Sequence, residues 1–242
     1  LVRENLTCSF PEKNTQEIIR LEKAFYRNLC DIFIEAFKCL NITDQEMRRR
    51  VEVVNAELPE RIAAKGKNVF MLLGHCGCWE WAQEVCTHYK NPKKNCEIYK
   101  QIGSPYFASL MHEVRSRWNT TQIEMRQTAQ GEPFLCGFIQ DQRPDIKAKD
   151  SVNFLNQQTW YVPGAEEIAK KVNAELVYLN IEKPSRGHYR LTFTEMQQTE
   201  EDQNGPFPNS RCFWRLLEQN IRQQPEIWLW SHNRWYKWEL AK

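Results

Sequence analysis

The run Asn68-Val-Phe-Met-Leu-Leu carries no charge and is closed by Gly74, and it constrains the fold more than any other feature. A surface helix or a half-exposed strand would interrupt such a run with polar residues. A short strand buried on both faces does not. Phe134 to Gln140 repeats the pattern, Glu97 to Tyr99 reads as another short strand, and Glu175 to Ile181 as one more. Stretches with helical character lie between them, at Trp79 to Tyr89, residues 104–118 and Glu166 to Val172. Strands alternating with helices define an α/β fold with a mostly parallel central sheet flanked by helices. A turn at Pro184-Ser-Arg-Gly187 leads into Tyr189 to Phe193, so the last two strands pair as a hairpin. Asn209 to Gln224 closes as a helix.

The first sixty residues read as an N-terminal helical part. Ile18, Leu21, Phe25, Leu29, Ile32, Phe33, Ala36, Phe37 and Leu40 recur at helical spacing, which predicts one long amphipathic helix over residues 10–40. Ser9 with Glu12 is its capping box and Pro11 suits its first turn. A second helix starts at Thr43, boxed with Glu46, and carries Met47, Val51, Val54 and Leu58 on one face. Arg48, Arg49 and Arg50 lie on its outer face, a solvated surface or a contact for anionic lipid. No repeat, low-complexity tract or linker divides the 242 residues, so a single domain over 1–242 is expected. The chain opens at Leu1 without a membrane anchor or signal peptide and reads as a fragment lacking an upstream segment.

Composition removes several classes of function. Lys plus Arg is 33 against 31 for Asp plus Glu, a net charge of +2 that offers no global attraction for nucleic acid. The 41% hydrophobic content excludes disorder, and no apolar run approaches the roughly 20 residues of a membrane span. Nine cysteines in a chain long enough to fold unaided read as reduced thiols, because the count is odd.

The loop Gly74-His75-Cys76-Gly77-Cys78-Trp79-Glu80-Trp81 follows the buried strand and precedes a helix. Ligands of open α/β sheets bind beyond the carboxyl ends of the strands, where this loop lies. Glu80, five residues after His75, can fold back onto one imidazole nitrogen and make the other a base for a hydroxyl. A satisfied structural histidine is the competing reading. Cys76, Cys78, Cys86 and His88 could instead hold zinc, although their spacing matches no structural template. Cys76 could also be a nucleophile beside His75. Asp141, after the strand ending at Gln140, falls on the same rim as His75; a plain turn before Pro144 is its alternative. Tyr99-Lys100 places a cation at the end of its own strand. The tail Trp228-Leu-Trp-Ser-His-Asn-Arg-Trp-Tyr-Lys-Trp238 interleaves aromatics with Arg234 and Lys237, and fits core packing with a membrane-facing edge.

Four blocks together resemble the late acyltransferases of lipid A biosynthesis, of lauroyl and myristoyl transferase type. They are Asn5-Leu6 with Ser9-Phe10-Pro11-Glu12, His75 to Trp81, Gly137 to Pro144, and Trp228 to Trp235. Phe154-Leu-Asn156 and Gly164-Ala-Glu-Glu-Ile-Ala-Lys170 also fit, so the resemblance spans essentially the whole chain. It implies an enzyme on the cytoplasmic face of the inner membrane that moves an acyl group from acyl carrier protein to a hydroxyl of a lipid A precursor. His75 would be the general base and Glu80 its partner, with Asp141, Lys100 and Arg234 handling substrate. No metal or organic cofactor is implied. Cys78 stands where the family prefers Asn, Lys100 where it has Arg, and the stretch Met125 to Pro133 is shorter than its counterpart. Two alternatives stay open: another lipid acceptor, such as an aminolipid or phosphoglycolipid, and a lipid-binding protein with a degenerate site.

Overall fold

The computed structural model describes residues 1–89, 94–99, 105–116, 120–124, 134–144 and 148–235. The chain opens with helices α1 (Val2–Ser9), α2 (Thr15–Lys38) and α3 (Asp44–Arg50). Strand β1 (Val51–Val54), helix α4 (Glu57–Ala63) and strand β2 (Asn68–Leu73) follow, then a 3₁₀ helix, Trp79–His88. Next come β3 (Lys94–Tyr99), α5 (Pro105–Arg115), β4 (Thr120–Glu124), β5 (Phe134–Ile139), and a two-stranded ribbon of β6 (Asp150–Phe154) and β7 (Gln157–Tyr161). The chain continues through α6 (Gly164–Lys171), β8 (Ala174–Ser185), β9 (His188–Glu195), α7 (Glu200–Gln203), α8 (Pro208–Gln223) and a short 3₁₀ turn, Pro225–Ile227.

Among the described residues, seven strands form the main sheet in the order β1-β9-β8-β2-β5-β3-β4. Every neighbouring pair is parallel except the β8/β9 hairpin. The expected α/β fold is therefore present. β2 sits at the middle with Val69 to Leu73 buried, because helices and loops cover both of its faces. One apolar core runs from Leu6 and Phe25 through β2, β5 and β8 to Trp214, Trp228 and Trp230.

The N-terminal part differs from the expected long helix over residues 10–40 and second helix from Thr43. Ser9 ends α1 and is fully buried, and α2 starts only at Thr15. Asn14 and Glu17 form the reciprocal capping box, and they replace Ser9 and Glu12 because the pair satisfies two backbone donors immediately before the apolar stripe. Thr43 caps α3 as expected, but that helix ends at Arg50. Met47, Val51, Val54 and Leu58 mimic a helical period, yet Val51–Val54 pairs with β9 as an edge strand. Asn55 (φ 58°) then turns the chain into α4.

Candidate active site

β2 and β5 lie side by side in parallel with Leu73 opposite Ile139. His75 is two residues past the first and Asp141 two residues past the second, so equal offsets from one register bring them together. The Asp141 carboxylate takes three donors. The His75 backbone N–H reaches Oδ2 at 2.9 Å, Trp228 Nε1 reaches Oδ2 at 2.8 Å, and His75 Nδ1 lies 2.6 Å from Oδ1. Gly74 makes room for this: a Cβ there would sit 2.5 Å from Leu217 Cδ1 and 3.3 Å from Asp141 Oδ2.

Asp141 is only 2% exposed, and burial by itself would raise its pKa. The His75 charge and hydrogen bonds, with that of Trp228, overcome burial and hold the carboxyl at about 2. An ionised carboxylate only accepts, so Nδ1 of His75 carries the proton in the pair. That leaves the lone pair of a neutral imidazole on Nε2, which has no hydrogen-bond partner among the described residues. The His75 side chain is 14% exposed, enough to leave the ring reachable at one edge.

The loop is fixed from several sides. Gly77 N–H donates to Ile227 O and Leu229 N–H to His75 O, so the tail segment runs antiparallel beside the loop through a bridge of Cys76 with Trp228. Gly77 takes φ 53°, and a Cβ on it would lie 2.4 Å from Tyr189 Cε1. Tyr189 Oη accepts from Cys78 N–H at 3.1 Å and donates to Glu35 Oε2 at 2.6 Å.

Glu80 does not hold His75, which corrects the expected pairing. It is buried against Arg115, with Arg115 Nε donating to Oε2 at 3.0 Å and Nη2 to Oε1 at 2.7 Å. Trp79 Nε1 also donates to Oε1, at 3.1 Å. The physical reason is register: Asp141 leaves the adjacent strand level with His75 and occupies Nδ1, while Glu80 on the following 3₁₀ helix meets the fork of Arg115 from α5. Among the described residues Glu80 reaches the imidazole through Trp79, whose ring lies edge-on to it with centroids 4.9 Å apart. Arg115 had no signal in the sequence.

Arg234 is buried behind the pair. Its Nη2 donates to Trp160 O at 2.8 Å, and its guanidinium lies 4.6 Å from the Trp214 ring centroid. Burial lowers its pKa to about 10, partly opposed by the Asp141 charge. Its Nε has no hydrogen-bond partner among the described residues. His232, quoted in the tail but assigned no role, is half-buried near the same charges. Burial lowers its pKa, Asp141 opposes that, and the charges of His75, Arg234 and Arg143 add to the lowering. Trp228 and Trp230 are buried and Trp235 half-buried, so core packing accounts for these three tail tryptophans. Lys100, Lys237, Trp238 and the whole short stretch Met125 to Pro133 lie outside the described residues.

Cys76 and Cys78 are buried, and burial pushes both thiols well above their ordinary range. The Asp141 charge adds to this at Cys76. Neither thiol is placed to act as a thiolate nucleophile. Among the described residues no three His, Cys, Asp or Glu side chains converge as metal ligands. Among the same residues no helix is long and apolar enough to cross a membrane.

A histidine–carboxylate pair on the carboxyl rim of an open α/β sheet, as His75 and Asp141 form here, is an arrangement whose chemistry suits proton transfer at a bound ligand. The chain matches the family model of bacterial lipid A biosynthesis acyltransferases over residues 1–237, and it belongs to that family. It is thus an acyltransferase of lipid A biosynthesis by family. No curated protein matches the chain.

Proposed function

We propose that the protein transfers a fatty acyl group from an acyl carrier protein thioester to a hydroxyl of a lipid A precursor, at the cytoplasmic face of the inner membrane. The observation that carries this reading is the His75–Asp141 pair, which occupies Nδ1 and leaves Nε2 without a hydrogen-bond partner among the described residues, in a member of this family. Nε2 takes the proton of the acceptor hydroxyl as the oxygen attacks the thioester carbonyl. The tetrahedral oxyanion collapses, the C–S bond breaks, and the leaving thiolate receives the proton from Nε2. An ester and a free carrier thiol result, and no redox partner is needed. Asp141 stabilises the imidazolium between these steps and holds its tautomer. Arg234 adds positive potential behind the pair. Lys100 is assigned to the anionic acceptor on the strength of the family resemblance.

The test is acyl transfer from a panel of carrier protein thioesters to a tetra-acylated lipid A precursor, read by mass spectrometry. His75→Ala should lower turnover by about 10²–10⁴-fold with the fold retained. A folded His75→Ala protein with wild-type turnover would remove His75 from the chemistry. No product from the wild type would favour a different lipid acceptor.

A further inference from the structure

We propose that the outward face of α2 docks this protein onto an anionic lipid surface. The inference rests on the lipid-acyltransferase reading for its choice of a bilayer, and it names the surface that meets it.

Tyr26, Phe33, Ile34 and Phe37 are 48%, 56%, 63% and 51% exposed. Offsets of seven, eight and eleven residues put them on one side of a helix, with exposed Cys30 among them. Large side chains at this exposure, contiguous along one helix, leave an apolar strip facing water.

The charges sort the occupant. The cations of α2 are Arg20, Lys23, Arg27 and Lys38, and all are exposed. Its carboxylates are all turned to other duties. Glu17 closes the capping box, Glu22 pairs with Arg3, Asp31 with Lys183 and Arg186, and Glu35 with Tyr189 and Lys183. Among the described residues no carboxylate lies within ion-pair distance of Arg20, Lys23 or Arg27. An apolar strip on a helix whose exposed charges are all cations, with only Lys38 close to a carboxylate, Glu46 at 4.0 Å, is the pattern of a helix lying in an anionic interface. A second copy of the chain fits it poorly, because pairing this face with itself sets Arg20, Lys23 and Arg27 against their own copies while the carboxylates of α2 are already engaged.

The inner side of α2 gives the surface a link to chemistry. Asn28 Nδ2 donates to Ile227 O at 3.5 Å, Trp81 Nε1 donates to Glu35 O at 2.8 Å, and Glu35 holds Tyr189, which holds Cys78 N–H. The helix that presents the strip therefore also braces the His75 loop.

The test is co-sedimentation of the full chain with sucrose-loaded vesicles, either phosphatidylcholine alone or a 2:1 mixture with phosphatidylglycerol, both free of acceptor. The wild type should bind the phosphatidylglycerol vesicles and release as salt rises. Phe33→Ser/Ile34→Ser/Phe37→Ser should weaken this at least about tenfold. Arg20→Gln/Lys23→Gln/Arg27→Gln should weaken it on the order of 10²-fold. Circular dichroism and acyl transfer in detergent micelles should stay at wild-type levels for both, and Ile34→Ser alone gives a milder surface change. Wild type left in the supernatant, variants that bind like wild type, or a dimer that Phe33→Ser dissociates would each overturn the docking face. The micelle assay reads the site separately: a protein that binds vesicles yet transfers nothing overturns the catalytic reading and leaves the docking face standing.

Discussion

Asp141 and Glu80 are both buried carboxylates on the rim of the sheet, and their partners divide their tasks. Asp141 faces a histidine, an indole N–H and a backbone N–H. Glu80 faces the two-pronged guanidinium of Arg115, which neutralises it in place. A carboxylate on an imidazole sets a tautomer and a basicity; a carboxylate on an arginine sets a position. The pair teaches that sequence distance to a histidine is a poor guide to which acid serves it. Strand register placed Asp141, 66 residues away, in contact with His75.

Substitutions at the two sites should therefore separate. Asp141→Asn should lower kcat by about 10²–10⁴-fold while KM changes little, because the amide no longer stabilises the imidazolium. A variant within threefold of wild type would dissolve the contrast. Arg115→Met should act mainly on stability, costing about 3 kcal/mol in urea unfolding because it strands a buried Glu80 charge. Its kcat should stay within about tenfold of wild type, since among the described residues Glu80 reaches His75 through Trp79; a larger loss would move Glu80 into the chemistry. Gly77→Ala should cost about 2 kcal/mol, combining a positive φ with a clash on Tyr189. A neutral result by thermal denaturation would mean that Tyr189 does not brace the loop.

The smallest effect is on pH dependence. Folding lowers the Asp141 pKa from an unperturbed 3.8 to about 2. A lowered carboxyl stabilises the fold above the unfolded value and loses that contribution as pH falls through the folded value. The urea midpoints of wild type and Asp141→Asn should thus converge as pH is lowered from about 4 towards about 2. Midpoints that diverge over that range would contradict an ionised Asp141.

Much of the sheet was legible because burial on both faces leaves an unmistakable mark. β2, β5 and the β8/β9 hairpin fall where apolar runs and the Pro184–Gly187 turn place them. The edges were not. β1 carries apolar residues spaced as on a helix, and only its pairing with β9 decides against that. The β6/β7 ribbon turns through Leu155 and Asn156 at φ 51° and 62°, and a leucine in the left-handed region gives no turn signal. At the site, His75 and Asp141 could both be placed on one rim from the strand ends. Their contact could not, because it depends on which strands are neighbours and in what register. The exposed strip on α2 was also hidden, since its aromatic residues look like more core until the helix is seen packed on its other side.

The most direct test of the central claim is the imidazole of His75 itself. Proton and nitrogen NMR of histidine-labelled protein should show a downfield Nδ1–H in a short hydrogen bond to a carboxylate. That signal should persist in Glu80→Gln and vanish in Asp141→Asn. A signal that survives in Asp141→Asn and is lost in Glu80→Gln would return the histidine to the acid five residues away and contradict the account.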